Sequence, residues 1–219
     1  MLRPYWVGAC YVKSPVAVGT AGGASLARER RALMVIVPQR PIPRKDGFLY
    51  PGTDYMAEQL VRMNIAFAKL AELEQILPYI ARQYHRLVLV VGPVGSGKTP
   101  LLKELCHRHD FPYLNVNLAL SQRLLNLTSK ERPLRVRRLL AEVIDEYPQD
   151  TIVLDNIELL FDSTLHQDPL VLLQGLSRNK TLIAAWGGTY QNSVLTYAEP
   201  GHAEYRRYER PALIVISMP

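Results

Sequence analysis

Cysteine is scarce in this sequence. Cys10 and Cys106 are the only two in 219 residues, and they form neither a Cys-x-x-Cys redox motif nor a zinc-ligand spacing. The histidines offer no ligand set either: His107 and His109 stand two apart and do not share a helical face. Long apolar runs are missing as well. Stretches such as Ala32–Val37 and Leu87–Val91 fall far short of the roughly 20 residues that a membrane helix needs. The opening MLRPYWVGACYV has no apolar segment of the secretory kind. Together these absences lead to the expectation of a cytoplasmic protein with free thiols and no membrane partner.

Charge of one sign is also missing from most of the chain. The formal net charge is +6, which would ordinarily raise nucleic acid as a partner. Residues 1–53 carry eight Lys or Arg against Glu29 and Asp46, so they hold the whole excess, and residues 54–219 balance to zero. The same first quarter holds six Pro, six Gly and the run Gly19–Ser25, and reads as an appendage. DNA is thereby reduced to a possible and indirect partner. Two accounts of residues 1–53 stay open: a poorly ordered arm, or a mis-assigned start with Met56 as the true one.

What is present is globular. Apolar residues make up 48% and charged residues 21%, enough for one sizeable core. From Asp54 onward, Met56, Leu60, Met63, Phe67, Leu70 and Leu77 follow a helical period, and Pro78 predicts a kink or restart before Tyr79–Tyr84. Apolar or alternating strand signals fall at 86–91, 113–118, 151–154, 181–186 and 212–217. Between them the sequence predicts helices at 98–109, 124–127, 134–147 and from Asp168-Pro169 to Leu176. Strands alternating with helices make an open parallel α/β sheet covered on both faces.

Between the first core strand and its helix stands GPVGSGKT, Gly92, Pro93, Val94, Gly95, Ser96, Gly97, Lys98 and Thr99. It satisfies G-x-x-x-x-G-K-[S/T] at every specified position. The spacing has a chemical reason: glycines let the loop fold back so that its N–H groups face phosphate oxygens, and the next helix adds its positive end. Lys98 then reaches the terminal phosphates and Thr99 can ligate Mg²⁺. Pro100 is harmless in a first helical turn. The second half of such a site is an acid ending a buried strand, and TIVLD supplies Asp155 for Mg²⁺.

The strand order expected for this branch of P-loop NTPases, the one containing AAA-type ATPases, inserts the 181–186 strand between the loop strand and the Asp155 strand. The fold class expected is therefore a P-loop NTPase with a five-stranded open parallel sheet between helices, an AAA-like core without the C-terminal lid. That branch usually places Glu immediately after the Asp, where it polarises the attacking water. Here the position is Asn156 and the nearest acid is Glu158, which is either the catalytic acid, swung inward by a turn, or a surface or capping carboxylate. Arg206, Arg207 and Arg210 in EYRRYERP have two readings as well. One is an arginine reaching a neighbouring subunit's γ-phosphate; the other is a solvated basic helix end. Lys130, Arg132, Arg135, Arg137 and Arg138 read as a solvated helix start, with contact to DNA phosphates as the alternative. AAWGG, at the end of the 181–186 strand, lacks the polar sensor of AAA proteins, and Thr189 is the nearest substitute.

The segments LDNIELLFDSTLHQDPLVLLQGLSRNKTLIAAWGG and LTYAEPGHAEYRRY, beside VVGPVGSGKT, resemble the BrxF family of small P-loop proteins from type 3 BREX phage-defence systems. The resemblance runs from about Leu70 to Pro219 and includes the Asp155-Asn-Ile-Glu pattern. It implies a bacterial ATP-binding subunit that works with other BREX proteins, among them a large ATPase and a DNA methyltransferase. On this basis the expected function is a regulatory, AAA-like ATPase of a defence complex, with weak or partner-dependent hydrolysis and possible self-association. A non-hydrolysing nucleotide-binding adaptor and a small P-loop metabolite kinase remain as alternatives.

Overall fold

The computed structural model describes residues 53–219, so the basic segment before Thr53 and the question of its translation lie outside the described residues. The elements are α1 (Thr53–Ile80), β1 (Leu87–Gly92), α2 (Lys98–His109), β2 (Tyr113–Asn115), α3 (Val116–Leu124), α4 (Arg132–Asp145), β3 (Thr151–Asp155), α5 (Pro169–Leu176), β4 (Thr181–Gly187), β5 (Tyr190–Gln191), β6 (Val194–Tyr197), β7 (Arg206–Glu209) and β8 (Ile214–Ser217). Short 3₁₀ turns, Glu158–Phe161 and Ser163–Leu165, follow β3.

Five strands form one sheet in the order β2-β3-β4-β1-β8, and every pairing is parallel. The expected insertion of the 181–186 strand between the loop strand and the Asp155 strand is therefore what the structure contains. Period-2 geometry explains why the core strands are apolar throughout. Leu87, Leu89 and Val91 face a core built with α3, α4 and α5. Val88 and Val90 face the opposite core, with Leu70 and Leu73 of α1 and Leu101, Leu102 and Leu105 of α2.

Several local expectations shift. The strand expected over 113–118 ends at Asn115, because the Asn115 side chain accepts the Leu118 N–H at 2.9 Å and starts α3 there. The 124–127 helix is the last residue of α3 followed by a turn. α4 begins and ends two residues earlier than 134–147, and buries Val136, Leu140, Val143 and Ile144 on one face. Pro78 does not restart a helix: α1 continues through it to Ile80, which is fully buried against the sheet. Asp168 does cap α5, accepting the Val171 N–H at 2.9 Å with Pro169 in the first turn.

The largest departure lies between β4 and β8. Arg206 and Arg207 belong to a strand rather than a helix end: β5, β6 and β7 form a second, antiparallel sheet. Asn192 and Ser193 turn β5 into β6 with φ of 50° and 61°, a left-handed pair suited to a tight hairpin. Aromatic rings fix this sheet to the body. Tyr197 stacks on Phe161 with centroids 3.4 Å apart, and Trp186 meets Phe161 edge-on at 4.9 Å. The Trp186 indole donates to the Thr196 carbonyl at 2.8 Å, and Tyr208 donates to Asp168 at 3.1 Å.

Candidate functional site

The loop from Gly92 to Thr99 joins the carboxyl end of β1 to the start of α2. Gly95 and Gly97 adopt φ of 81° and 88°, a left-handed backbone that favours glycine. Gly97 is also the N-cap of α2, and no side chain caps this helix. Its first-turn N–H groups are thus available to an anion. The Lys98 ammonium donates to the carbonyls of Gly92 and Pro93, each at 2.7 Å. Burial pushes its pKa below the ordinary lysine value, against the opposing fields of Asp155 and Glu158. A cavity of about 310 Å³ borders the loop, with Ile65 of α1 and Pro219 as its apolar walls.

Thr99 and Asp155 meet although 56 residues separate them. Asp155 is 3% exposed, and three donors compensate its burial. Its Oδ2 accepts the hydroxyls of Thr99 and Tyr113, each at 2.7 Å, and its Oδ1 accepts the Asn156 N–H at 2.9 Å. Mg²⁺ ordinarily takes one or two protein oxygens and completes its shell with phosphate and water. Thr99 and Asp155 offer that donor set beside an anion cradle, so these residues fit a nucleotide carrying Mg²⁺.

The chain turns after Asp155, where Asn156 takes φ of 53°. Glu158 then opens the 3₁₀ turn with its side chain exposed. The Asn117 amide donates to Glu158 Oε2 at 2.8 Å, while its oxygen accepts the Leu159 N–H at 2.8 Å. Asn115, Asn117, Asn156, Glu158, Asp162 and Glu204 line an open cavity of about 640 Å³ beside the ends of β2 and β3.

The arginines stand apart from this cluster. Arg206 donates to the Tyr205 carbonyl at 2.9 Å and Arg207 pairs with Glu209 at 3.0 Å. Arg210 follows β7 with φ of 45°. Among the described residues no hydrogen bond or ion pair joins these three to the loop or to Asp155. Thr189, just before β5, is bonded to Thr196 of β6 at 2.9 Å. Two residues of the site were not singled out by their sequence, Tyr113 and Asn117. The available signal was Asn115 as a helix N-cap, which would have placed Asn117 in a first helical turn rather than in a strand.

Residues 88–184 match the family described as AAA, ATPase family associated with various cellular activities. No curated protein matches the sequence. Similar solved structures include PCH-2 of C. elegans, with 20% identity and a TM-score of 0.36 over 73% of this chain and 42% of that one. Another is a DNA replication initiation factor, with 14% identity and a TM-score of 0.38 over 79% of this chain and 48% of the other. AMPPCP-bound DnaA from Aquifex aeolicus gives 15% identity and a TM-score of 0.38 over 80% and 48%. This chain spans less than half the length of each of the three. The stretch similar to that family runs from the strand that feeds the phosphate loop to the strand beside it and takes up less than half of the chain.

Proposed function

We propose that the protein binds ATP with Mg²⁺ and acts as a weak or partner-dependent regulatory ATPase. One observation carries this reading: Lys98, Thr99 and Asp155 converge where β1 and β3 end, with Thr99 hydrogen-bonded to Asp155 at 2.7 Å. In this reading the loop amides and Lys98 hold the β- and γ-phosphates, and Ile65 and Pro219 flank the base. Mg²⁺, when bound, neutralises charge on the phosphates. Thr99 and Asp155 hold it, and Glu158 orients the attacking water once released from Asn117. The arginines of β7 are proposed to act in trans, on the phosphates of a second subunit.

The resemblance to BrxF supports a place for this ATPase in a type 3 BREX phage-defence assembly, beside a DNA methyltransferase and other BREX proteins. A second reading, a nucleotide-binding adaptor that does not hydrolyse, is favoured by Asn156 in the usual glutamate position and by the Asn117–Glu158 bond.

ADP release by the purified protein, measured with and without DNA and partner subunits beside a Lys98→Ala control, tests both. Turnover that rises with partners and vanishes in Lys98→Ala is expected. Tight ATP binding without turnover under every condition favours the adaptor. Turnover that depends on a small acceptor, without partners, overturns the regulatory reading in favour of a kinase.

A further inference from the structure

We propose that Tyr113 is a positioning residue for the divalent cation of this site, holding Asp155 in place without touching the cation itself. The inference rests on the reading of the loop as a Mg²⁺-nucleotide site.

The placement follows from the sheet. In the β2–β3 register Tyr113 stands opposite Val153, and Asp155 is two residues further along β3, hence on the same face. A diagonal neighbour in a sheet is about 7–8 Å away, within reach of a tyrosine and beyond most shorter side chains. That face is the one covered by α2. Thr99 and Lys103, one turn apart on α2, both close on the pair: Thr99 donates to Asp155 Oδ2, and the Lys103 ammonium lies 5.6 Å from the centroid of the Tyr113 ring. Tyr113 thus sits between α2 and β3 with its hydroxyl on the oxygen that Thr99 also uses.

Division of labour between the two hydroxyls gives Tyr113 its role. Thr99 donates its proton to Asp155 and keeps oxygen lone pairs for a cation. Tyr113 has no such second duty. Its hydrogen bond holds the carboxylate against rotation and compensates its negative charge in a buried setting. Loss of that bond therefore changes how the site takes its metal and leaves the phosphate cradle alone.

The test is a Mg²⁺ titration of the full chain with a fluorescent ATP analogue, comparing the unsubstituted protein with Tyr113→Phe and repeating the binding in excess chelator. Tyr113→Phe is expected to raise the half-saturating Mg²⁺ concentration about tenfold, the scale of one lost hydrogen bond to a charged acceptor. Metal-free nucleotide affinity is expected to stay the same. As a second readout, Mg²⁺ added to the nucleotide-loaded protein is expected to give a tyrosine difference-absorbance signal, and Tyr113→Phe is expected to lose it. An unchanged Mg²⁺ requirement, or equal losses with and without metal, overturns the positioning role. If the unsubstituted protein binds the analogue without any effect of Mg²⁺, the proposal falls as well. If it does not bind the analogue, the reading of the site fails first, and the proposal with it.

Discussion

Asn117 commits both ends of its side-chain amide to the segment after Asp155, one to the Glu158 carboxylate and one to the Leu159 N–H. That bond ties one oxygen of the Glu158 carboxylate to Asn117 and fixes the direction in which the other can accept from a water. Glu158→Gln is expected to lower ATP turnover by about 10²-fold, the lower end for loss of a general base, with little change in nucleotide affinity. Asn117→Ala removes the bond that occupies Glu158 and is expected to raise turnover severalfold. Steady-state ADP release on both variants checks the pair, and equal turnover in all three proteins would make Glu158 a surface acid. At this scale the phosphate loop was legible because its chemistry demands eight consecutive residues, Gly92 to Thr99. Asp155 was legible as the acid that ends a buried strand. Tyr113 and Asn117 were not, since each finds its partner more than 40 positions away, and only the β2–β3 register brings them together.

Gly188 shows how closely the small sheet is held to the body. A Cβ at this position would lie 2.0 Å from the Thr196 carbonyl oxygen, a backbone atom with no room to yield. Gly188→Ala is expected to cost about 3 kcal/mol and to lower the thermal midpoint by roughly 6–12 °C. A calorimetric scan measures it, and a midpoint within a degree of the parent would mean that β6 is not held against β4 at this point. Elements were legible in proportion to how apolar they are. Strands such as LVLVV and TIVLD are buried on both faces, so they announce themselves without any partner. β7 reads RRYE, a sequence with no strand signal of its own, and it becomes a strand by pairing with β6. There Tyr197 and Leu195 supply the burial that the arginines lack.

The whole chain divides by charge, with +6 before Asp54 and none after it. Removing residues 1–52 is therefore expected to abolish salt-sensitive retention on heparin or DNA, while nucleotide affinity stays the same. Salt-gradient elution and nucleotide titration of the shortened protein check both halves. A collapse of nucleotide affinity would show that the basic segment serves the site. At this scale the order of strands carries a further consequence. β4 stands between the strand that leads into the phosphate loop and the strand that ends in Asp155. Neighbouring strands lie about 4.8 Å apart, so β1 and β3 end about two strand widths from each other, and Thr99, at the far end of the loop, reaches back across β4 to Asp155. Ala184 and Ala185, successive in β4, are buried in the opposite cores on the two faces of the sheet. A change at Thr99 therefore loosens the link between the two halves of the site, whereas a change that splays β4 moves the strand ends on which both halves are mounted.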